Sequence, residues 1–314
     1  MVEAFGWDGQ DSGDAVGVFG VDECGEVEHA RSGMERYEAS WRHSSGTGPT
    51  IATLAEYHNG PVEPSSEQPL TGGNVADVVV RVGSTVRKPV VAATPAVEAL
   101  LDHLAAVGFP GAPRSLGRDD AGRHVLEYVP GSMADTLAPM SAGELRRLGQ
   151  LIRSFHDAVE GFQPPPYAQW NVVIPPDRDE LICHNDLAPW NLVRDGDRWV
   201  FIDWDGAGPG SRLWDLAYAA HGFVPMASGG DPSVDGLRLR ALADGYGLDQ
   251  QQRLALPGLI GEHTRGMFDL LATSSLTGRQ PWARLYAEGH GDHWGPAADY
   301  IEEHVDIWTT TLLS

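Results

Sequence analysis

The chain has 314 residues, 42% of them hydrophobic, and a formal net charge of −22 at pH 7. This length is enough for one large domain or for two lobes around a cleft. Residues 1–69 and the remainder are both acidic, which disfavours binding to nucleic acids or to anionic membranes. The charge is compatible either with a solubility feature or with a cationic small-molecule substrate.

Signals for membrane insertion or export are missing from the sequence. The apolar runs are all much shorter than the roughly 20 residues of a membrane span, and the N-terminus is acidic rather than basic and then apolar. The two cysteines, Cys24 and Cys183, lie far apart and suggest neither a disulfide framework nor a metal cluster. We therefore expect a cytoplasmic protein.

Residues 1–69 are rich in Gly, Ser, Asp and Glu and show no sustained period of 2 or 3.6. Segments such as 42–49 and 61–69 are typical of loops or linkers. We expect this region to be an acidic, largely disordered N-terminal extension, and we assign no chemistry to it.

From Leu70 the pattern becomes that of a small β-rich segment. Residues 70–82 predict two strands joined by a turn at Gly72-Gly73, and residues 85–89 predict a third short strand. Thr94-Pro95 predicts an N-cap and first-turn proline for a helix that Gly108 ends. The apolar face of this helix comprises Val97, Leu100, Leu101, Leu104 and Val107. Two more strand-like runs lead to residues 125–131.

The remaining sequence is predominantly helical in pattern. Ser141 and Glu144 form a capping-box motif at the start of one helix, whose predicted core face is Leu145, Leu148, Leu151, Ile152, Phe155 and Val159. Further helices are predicted near residues 211–222, 234–246, 251–275 and 296–312. The fold class is therefore α+β, with a small β-rich lobe containing one main helix and a larger, mostly helical lobe.

The most informative segment lies between these helices. It places His184, Asp186 and Asn191 on a short loop between apolar runs, and Asp203 follows a second apolar run 17 residues after Asp186. Phosphoryl transfer needs such a set, because one carboxylate orients the attacking hydroxyl while an amide oxygen and a second carboxylate hold magnesium. The segment is typical of a kinase catalytic loop.

Four motifs, TGGNVADVVVRVG, LEYVPG, HNDLAPWN and IDWDGAGPGSRLWDLA, together resemble the aminoglycoside phosphotransferase and choline kinase-like family. They span roughly residues 70 to 220. The resemblance implies a protein kinase-like two-lobed fold and an ATP-dependent phosphotransferase that uses Mg²⁺. It also implies three parts: the extension (1–69), an N-lobe with its hinge (70–131) and a C-lobe (132–314).

Site roles follow from the resemblance. Asp186 is the expected catalytic residue, and Asn191 and Asp203 are the expected magnesium ligands. Asp215 matches a position that braces the catalytic loop, and His184 is expected to organise that loop rather than to react. Asp205 stays open between a contribution to the site and an exposed acidic turn.

Nucleotide-binding roles are expected in the N-lobe and hinge. Arg87 and Lys88, the single lysine of the chain, both suit the phosphate-contacting cation, and Glu98 suits either its ion-pair partner or a solvated helix position. Backbone groups are expected to contact phosphate or adenine at Gly72, Gly73, Glu127, Tyr128 and Val129. The glycine pair also suits an ordinary hairpin turn.

The acceptor is expected to be a hydroxyl-bearing small molecule, and the acidic charge is compatible with a cationic one without selecting it. Asn185 and Trp190 depart from the family pattern, which often has glycine and a smaller residue there, and this puts the geometry of the acceptor in doubt. The histidines and acids of the C-terminal third, including His290 and His293, have no convincing metal-ligand spacing. The alternative function is a non-catalytic protein that binds nucleotide or sequesters a small molecule.

Overall fold

The computed structural model describes residues 66–70 and 79–314. The predicted extension up to residue 65 and the Gly72-Gly73 turn lie outside the described residues. Five antiparallel strands form the first sheet, in the order β1-β2-β3-β5-β4. Their ranges are β1 Gln68–Pro69, β2 Val80–Val82, β3 Thr85–Lys88, β4 Ser115–Arg118 and β5 His124–Glu127. The sheet thus begins two residues before the predicted lobe boundary at residue 70.

One helix, α1 (Thr94–Ala106), follows the third strand. Four of the five residues of its predicted apolar face are buried, whereas Val107 follows the last helical residue and is 53% exposed. The predicted N-cap is wrong by one position. Ala93 is the N-cap, and the Thr94 hydroxyl accepts a hydrogen bond from the Val91 amide at 2.9 Å. Gly108 has φ 79°, which suits a residue that ends a helix.

Two small sheets follow and carry the segment with the polar motif. Strand β6 (Ser132–Met133) pairs with β8 (Leu192–Asp195), which pairs with β9 (Arg198–Phe201). Strand β7 (Leu181–Cys183) pairs with β10 (Gly208–Gly210). All these pairings are antiparallel. The loop after β7 and the turn after β9 are therefore held side by side.

Six further α-helices lie in the described chain: α2 Ala142–Val159, α3 Arg212–Phe223, α4 Pro232–Tyr246, α5 Gln250–Thr277, α6 Trp282–Ala287 and α7 His290–Leu313. The capping box at Ser141 and Glu144 is confirmed. Helix α6 was missed because six residues are too short for a periodic signal, and α7 begins six residues earlier than predicted. Helix α2 packs on α4, and α5 packs on α7.

The main core joins α1, the β7–β9 region, the helices α2 to α5 and the helix α7. All the predicted core residues of α2 are buried except Leu151, which is half-buried. Gly149 permits a close approach of α2 to α4, because a Cβ there would overlap the Leu242 carbonyl oxygen. Among the described helices, none is both long and apolar enough to cross a membrane.

Candidate active site

The loop that carries the polar motif connects β7 to β8. Asn185 adopts a left-handed conformation with φ 60°, which asparagine tolerates better than most residues. Its Nδ2 group donates hydrogen bonds to the carbonyls of Gly206 (3.1 Å) and Gly208 (3.3 Å). Asparagine thus adopts a backbone conformation that glycine adopts readily, and it also ties the loop to the turn after β9.

A buried carboxylate on α3 braces the same loop from behind. Asp215 accepts hydrogen bonds from the backbone amides of His184 (3.0 Å) and Asn185 (2.9 Å) and from the ring of His156 (3.1 Å). Burial raises the pKa of Asp215, but the hydrogen bond from His156 and the nearby imidazoles outweigh it and lower that pKa. Asp215 is therefore a charged structural brace, as the sequence analysis expected.

His184 organises the loop and is fully buried. Its Nδ1 accepts a hydrogen bond from the Asp186 amide (3.2 Å), so Nε2 carries the proton and donates to the Ile202 carbonyl (3.1 Å). Burial lowers its pKa, which keeps the ring neutral. The Ile202 amide in turn donates to the Asn191 carbonyl at 2.8 Å. The residue before Asp203 is thus held by both ends of the catalytic loop.

The Asp186 carboxylate is surrounded by hydrogen-bond donors. Its Oδ2 accepts from Asn191 Nδ2 at 2.7 Å, and the carboxylate also accepts from the Tyr218 hydroxyl. Burial, reinforced by the negative charge of Asp203, raises the pKa of Asp186 to about 7 despite these hydrogen bonds. A carboxylate with a pKa close to neutral is well suited to accept a proton from a hydroxyl.

Asp203 follows β9 and has a left-handed backbone, with φ 61° and ψ 63°. The Lys88 ammonium lies 2.7 Å from Asp203 Oδ1 and 2.7 Å from Asp205 Oδ2. Burial lowers the pKa of Lys88, but the two carboxylates outweigh it and raise that pKa. A cation thus already sits between two acids whose side chains are 43% and 41% exposed.

The two N-lobe cations have different surroundings. Strand alternation places Lys88 on the face of β3 toward Asp203, whereas Arg87 hydrogen-bonds Thr85 Oγ1 (2.5 Å) and pairs with Asp119 (3.4 Å). The Glu98 carboxylate forms a bidentate pair with Arg118, at 3.0 and 3.1 Å, rather than with either cation. Of the two candidates, only Lys88 contacts Asp203 and Asp205.

The hinge candidates lie at the end of β5. The Glu127 side chain joins Arg114 (3.3 Å) and Arg198 (2.8 Å), so it links this strand to β9. The Tyr128 amide donates to the Ser84 carbonyl at 2.9 Å, and Val129 is buried. These contacts fix the backbone of the segment, whose interaction with adenine stays a prediction.

Tyr218 is a site residue that the sequence analysis did not identify. It lies one helical turn after Asp215 on α3 and is 4% exposed. Its ring lies near His263, with centroids 4.9 Å apart, and stacks with Trp294 at 6.5 Å. The i, i+3 spacing from Asp215 was an available signal, because residues three apart share one helix face.

The histidines of the C-terminal third do not form a metal site in the described part of the chain. His221, His263 and His293 are buried against aromatic rings. Burial lowers the pKa of His263 to about 4 and that of His293 to about 4, and it lowers the pKa of His221 as well. These rings are neutral packing elements. The ligand atoms of the buried set His156, Cys183 and Asp215 lie within 4.8 Å of one another, and the set lies at the loop brace.

A sequence model of the phosphotransferase enzyme family matches residues 167–256, which contain Asp186, Asn191, Asp203 and Asp215. The trifolitoxin immunity protein of Rhizobium leguminosarum bv. trifolii is 32% identical over 198 residues, or 59% of this chain and 75% of that protein.

Solved structures share the fold. A choline/ethanolamine kinase family protein from Mesorhizobium loti superimposes with a TM-score of 0.52 at 18% identity, covering 88% of this chain and 98% of that one. An amicoumacin kinase in complex with AMP-PNP, Ca²⁺ and Ami superimposes with a TM-score of 0.58 at 13% identity, covering 89% of this chain and 96% of that one. The predicted kinase-like α+β fold is confirmed.

Proposed function

The chain belongs to the phosphotransferase enzyme family, and from this membership we propose that it transfers the γ-phosphoryl group of ATP to a hydroxyl of a small molecule. The observation that carries the proposal is the convergence of Asp186, Asn191 and Asp203. Asn191 Nδ2 donates to Asp186 Oδ2 at 2.7 Å, hydrogen bonds of Ile202 tie the residue before Asp203 to the same loop, and the negative charge of Asp203 acts on Asp186.

In the proposed reaction the acceptor oxygen attacks the γ-phosphorus while the bond to the β–γ bridging oxygen breaks and ADP leaves. Asp186 orients the hydroxyl and receives its proton, which its pKa of about 7 permits at neutral pH. Asn191 holds the carboxylate, and Asp215 and His184 hold the backbone of the loop. Catalysis therefore rests mostly on positioning.

The acidic groups suit a divalent cation. The Lys88 ammonium lies between Asp203 and Asp205, so this position already holds positive charge, and carboxylate and amide oxygens are ligands that Mg²⁺ accepts. We assign Asn191 and Asp203 as its ligands. Mg²⁺ held there would neutralise phosphate charge, and Lys88 would add a second cation for the same phosphates.

Two substitutions test the proposal. Asp186→Asn removes the proton acceptor, so we expect turnover with labelled ATP to fall by roughly 10²- to 10⁴-fold while Mg-ATP still binds. Asp203→Ala removes a metal ligand, so we expect Mg-ATP binding itself to weaken. The exposed Asp197→Asn is the matched control. Near wild-type turnover in Asp186→Asn contradicts the assignment.

A second candidate is a protein that binds and sequesters a small molecule without phosphorylating it. The observation that favours it is the name of the 32% identical relative, an immunity protein. Thermal stabilisation by a candidate compound with no ATP consumption identifies this function. The complete Asp186, Asn191 and Asp203 set favours catalysis. We place either function in the cytoplasm, where the buried free thiol of Cys183 stays reduced.

A further inference from the structure

An aromatic surface begins at the catalytic loop. Ala188 and Trp190 of this loop pack with Tyr218 of α3 and with residues of three further helices, α5, α6 and α7. We define the acceptor wall as the half-buried members of this cluster: Trp190, Met267, Phe268 and Trp282. Each of these side chains leaves part of its apolar surface facing solvent.

The wall is connected to the proposed chemistry through Tyr218. This side chain belongs to the same cluster, and its hydroxyl donates a hydrogen bond to the Asp186 carboxylate. The wall therefore begins one side chain away from the group that would receive the acceptor proton. An acceptor whose hydroxyl reaches Asp186 must place the rest of its body against a nearby surface, and this one is continuous with the site.

Carboxylates are segregated from the wall, and the charged group over its Phe268 ring is a cation, the Arg265 guanidinium, which lies 5.9 Å from the ring centroid. The titratable groups packed in its cluster are Tyr218 and the neighbouring rings of His221, His263 and His293, and burial keeps these three histidines neutral. The acids of α5 lie elsewhere. Glu262 and Asp269 line an open groove of about 440 Å³ with Glu302 of α7, and this groove includes no residue of the wall.

This segregation decides between two kinds of acceptor. A polycation such as an aminoglycoside needs several carboxylates close to its ammonium groups, because an unpaired charge next to apolar side chains loses its hydration. A ring or an alkyl chain instead gains from contact with aromatic faces. Aromatic faces also tolerate a single ammonium group.

We infer that the acceptor is a hydroxyl-bearing molecule with an aromatic or aliphatic body and at most one positive charge, bound against the acceptor wall. This inference rests on the proposed function, because it takes Asp186 as the group that meets the hydroxyl. It restricts the range of acceptors, because the net charge alone is compatible with a polycation. The acidic surface then serves solubility rather than recognition of the acceptor.

Two amino alcohols that differ only in a ring test the inference. Phenylalaninol and alaninol each carry one hydroxyl and one ammonium group, and kanamycin supplies a polycation. Dissociation constants are measured by calorimetry on the full chain with saturating Mg-AMP-PNP. We expect phenylalaninol to bind roughly tenfold more tightly than alaninol, which corresponds to one good aromatic contact, and kanamycin to bind most weakly.

Variants locate the contact. Trp282→Leu and Phe268→Leu keep apolar packing but remove the rings, and we expect each to reduce the advantage of phenylalaninol severalfold, while Trp282→Phe restores most of it. Tyr167→Ala and Leu276→Ala are matched controls, because these side chains are 70% and 88% exposed outside the cluster. Asp269→Asn tests the acidic groove and is expected to change no constant.

The outcomes separate the two proposals. Equal affinity for the ringed and ringless alcohols, tighter binding of kanamycin, or an unchanged preference in Trp282→Leu overturns the inference about the acceptor. Failure of the proposed function appears differently, as an absence of Mg-AMP-PNP binding or as Mg-AMP-PNP binding that Asp203→Ala leaves unchanged.

Discussion

Two adjacent cations, Arg87 and Lys88, show how much one residue of strand register decides. Lys88 is 8% exposed and bridges Asp203 and Asp205, while Arg87 contacts Thr85 and Asp119 on the other face of the sheet. Neighbouring residues of a strand point to opposite faces. The apolar Val86 shares the face of Lys88, so strand alternation favours the lysine.

The difference between the two cations is testable. Lys88→Met removes the charge that would meet the nucleotide phosphates, and we expect KM for ATP to rise by roughly 10- to 100-fold, the range of one hydrogen bond to a charged group. Arg87→Met is the matched control and is expected to change KM less than twofold. Thermal unfolding of both variants shows whether the remaining pair of acids destabilises the protein. A larger effect of Arg87→Met on KM reverses the assignment.

Tyr218 is expected to act on Asp186 through position. Tyr218→Phe keeps the ring in its aromatic surroundings but removes the hydroxyl that donates to the carboxylate. We expect kcat to fall roughly tenfold, since one hydrogen bond to a charged group is lost, with KM for ATP unchanged. Steady-state kinetics at saturating acceptor measure kcat and KM for ATP separately. A lower melting temperature with an unchanged kcat would assign Tyr218 to packing alone.

At the scale of elements, the sequence predicted structure best where all the residues that form a local motif lie within a few positions of one another. The capping box of Ser141 and Glu144 has both of its hydrogen bonds, and the long periodic helices appear near their predicted ranges. Helix α6 has no such signal, and α7 begins at His290, six residues before the predicted start, which coincides with Pro296. That proline lies inside the helix.

The candidate site was predictable for a related reason. The catalytic loop and the strand before Asp203 are contiguous motifs, and their residues meet because β8 and β9 pair through a short turn. The spacing from Asp215 could have indicated Tyr218, but the aromatic cluster around it was not predictable, because its members come from the loop and from four separate helices. Pairing between distant helices depends on packing, which no local pattern contains.

The contact between α4 and α7 contains a buried acid whose ionisation opposes folding. Asp235 accepts a hydrogen bond from Tyr300 at 2.7 Å, and burial raises its pKa to about 6 despite Tyr300 and the nearby Arg238. The folded state therefore binds this proton more tightly than the unfolded chain, whose pKa is about 3.8. Stability from this group is complete below pH 3.8 and is lost as the pH rises to about 6.

Asp235→Asn isolates this effect, because the amide stays neutral and its oxygen still accepts from Tyr300. We expect the variant to gain stability relative to the unsubstituted protein as the pH rises from 5 to 8, by about 1 kcal/mol, from 1.36 kcal/mol per pKa unit. Urea unfolding at both pH values measures the gain. Asp231→Asn, at the exposed N-cap of α4, is the control. A gain that shrinks with rising pH contradicts the assigned direction.

At the scale of the whole molecule, the net charge of −22 favours a polycationic acceptor, whereas the acceptor wall favours an apolar one. A field of this size attracts any polycation and repels an anion, and both effects weaken as salt shortens the Debye length from about 10 Å at 0.1 M to about 3 Å at 1 M. Contact with aromatic side chains is far less sensitive to salt. Ionic strength therefore separates the two modes of recognition without any substitution.

We expect KM for an acceptor that binds the wall to change less than about twofold between 0.05 and 0.5 M NaCl. The reason is that its apolar body carries no charge on which the electrostatic field of the protein could act. KM for Mg-ATP is the internal control. The nucleotide is anionic and approaches an acidic protein, so its KM should decrease over the same range as the repulsion is screened. Steady-state kinetics with both substrates varied in turn measure the two responses. An acceptor KM that rises several-fold with salt would show that the acidic surface, and not the aromatic wall, attracts the acceptor.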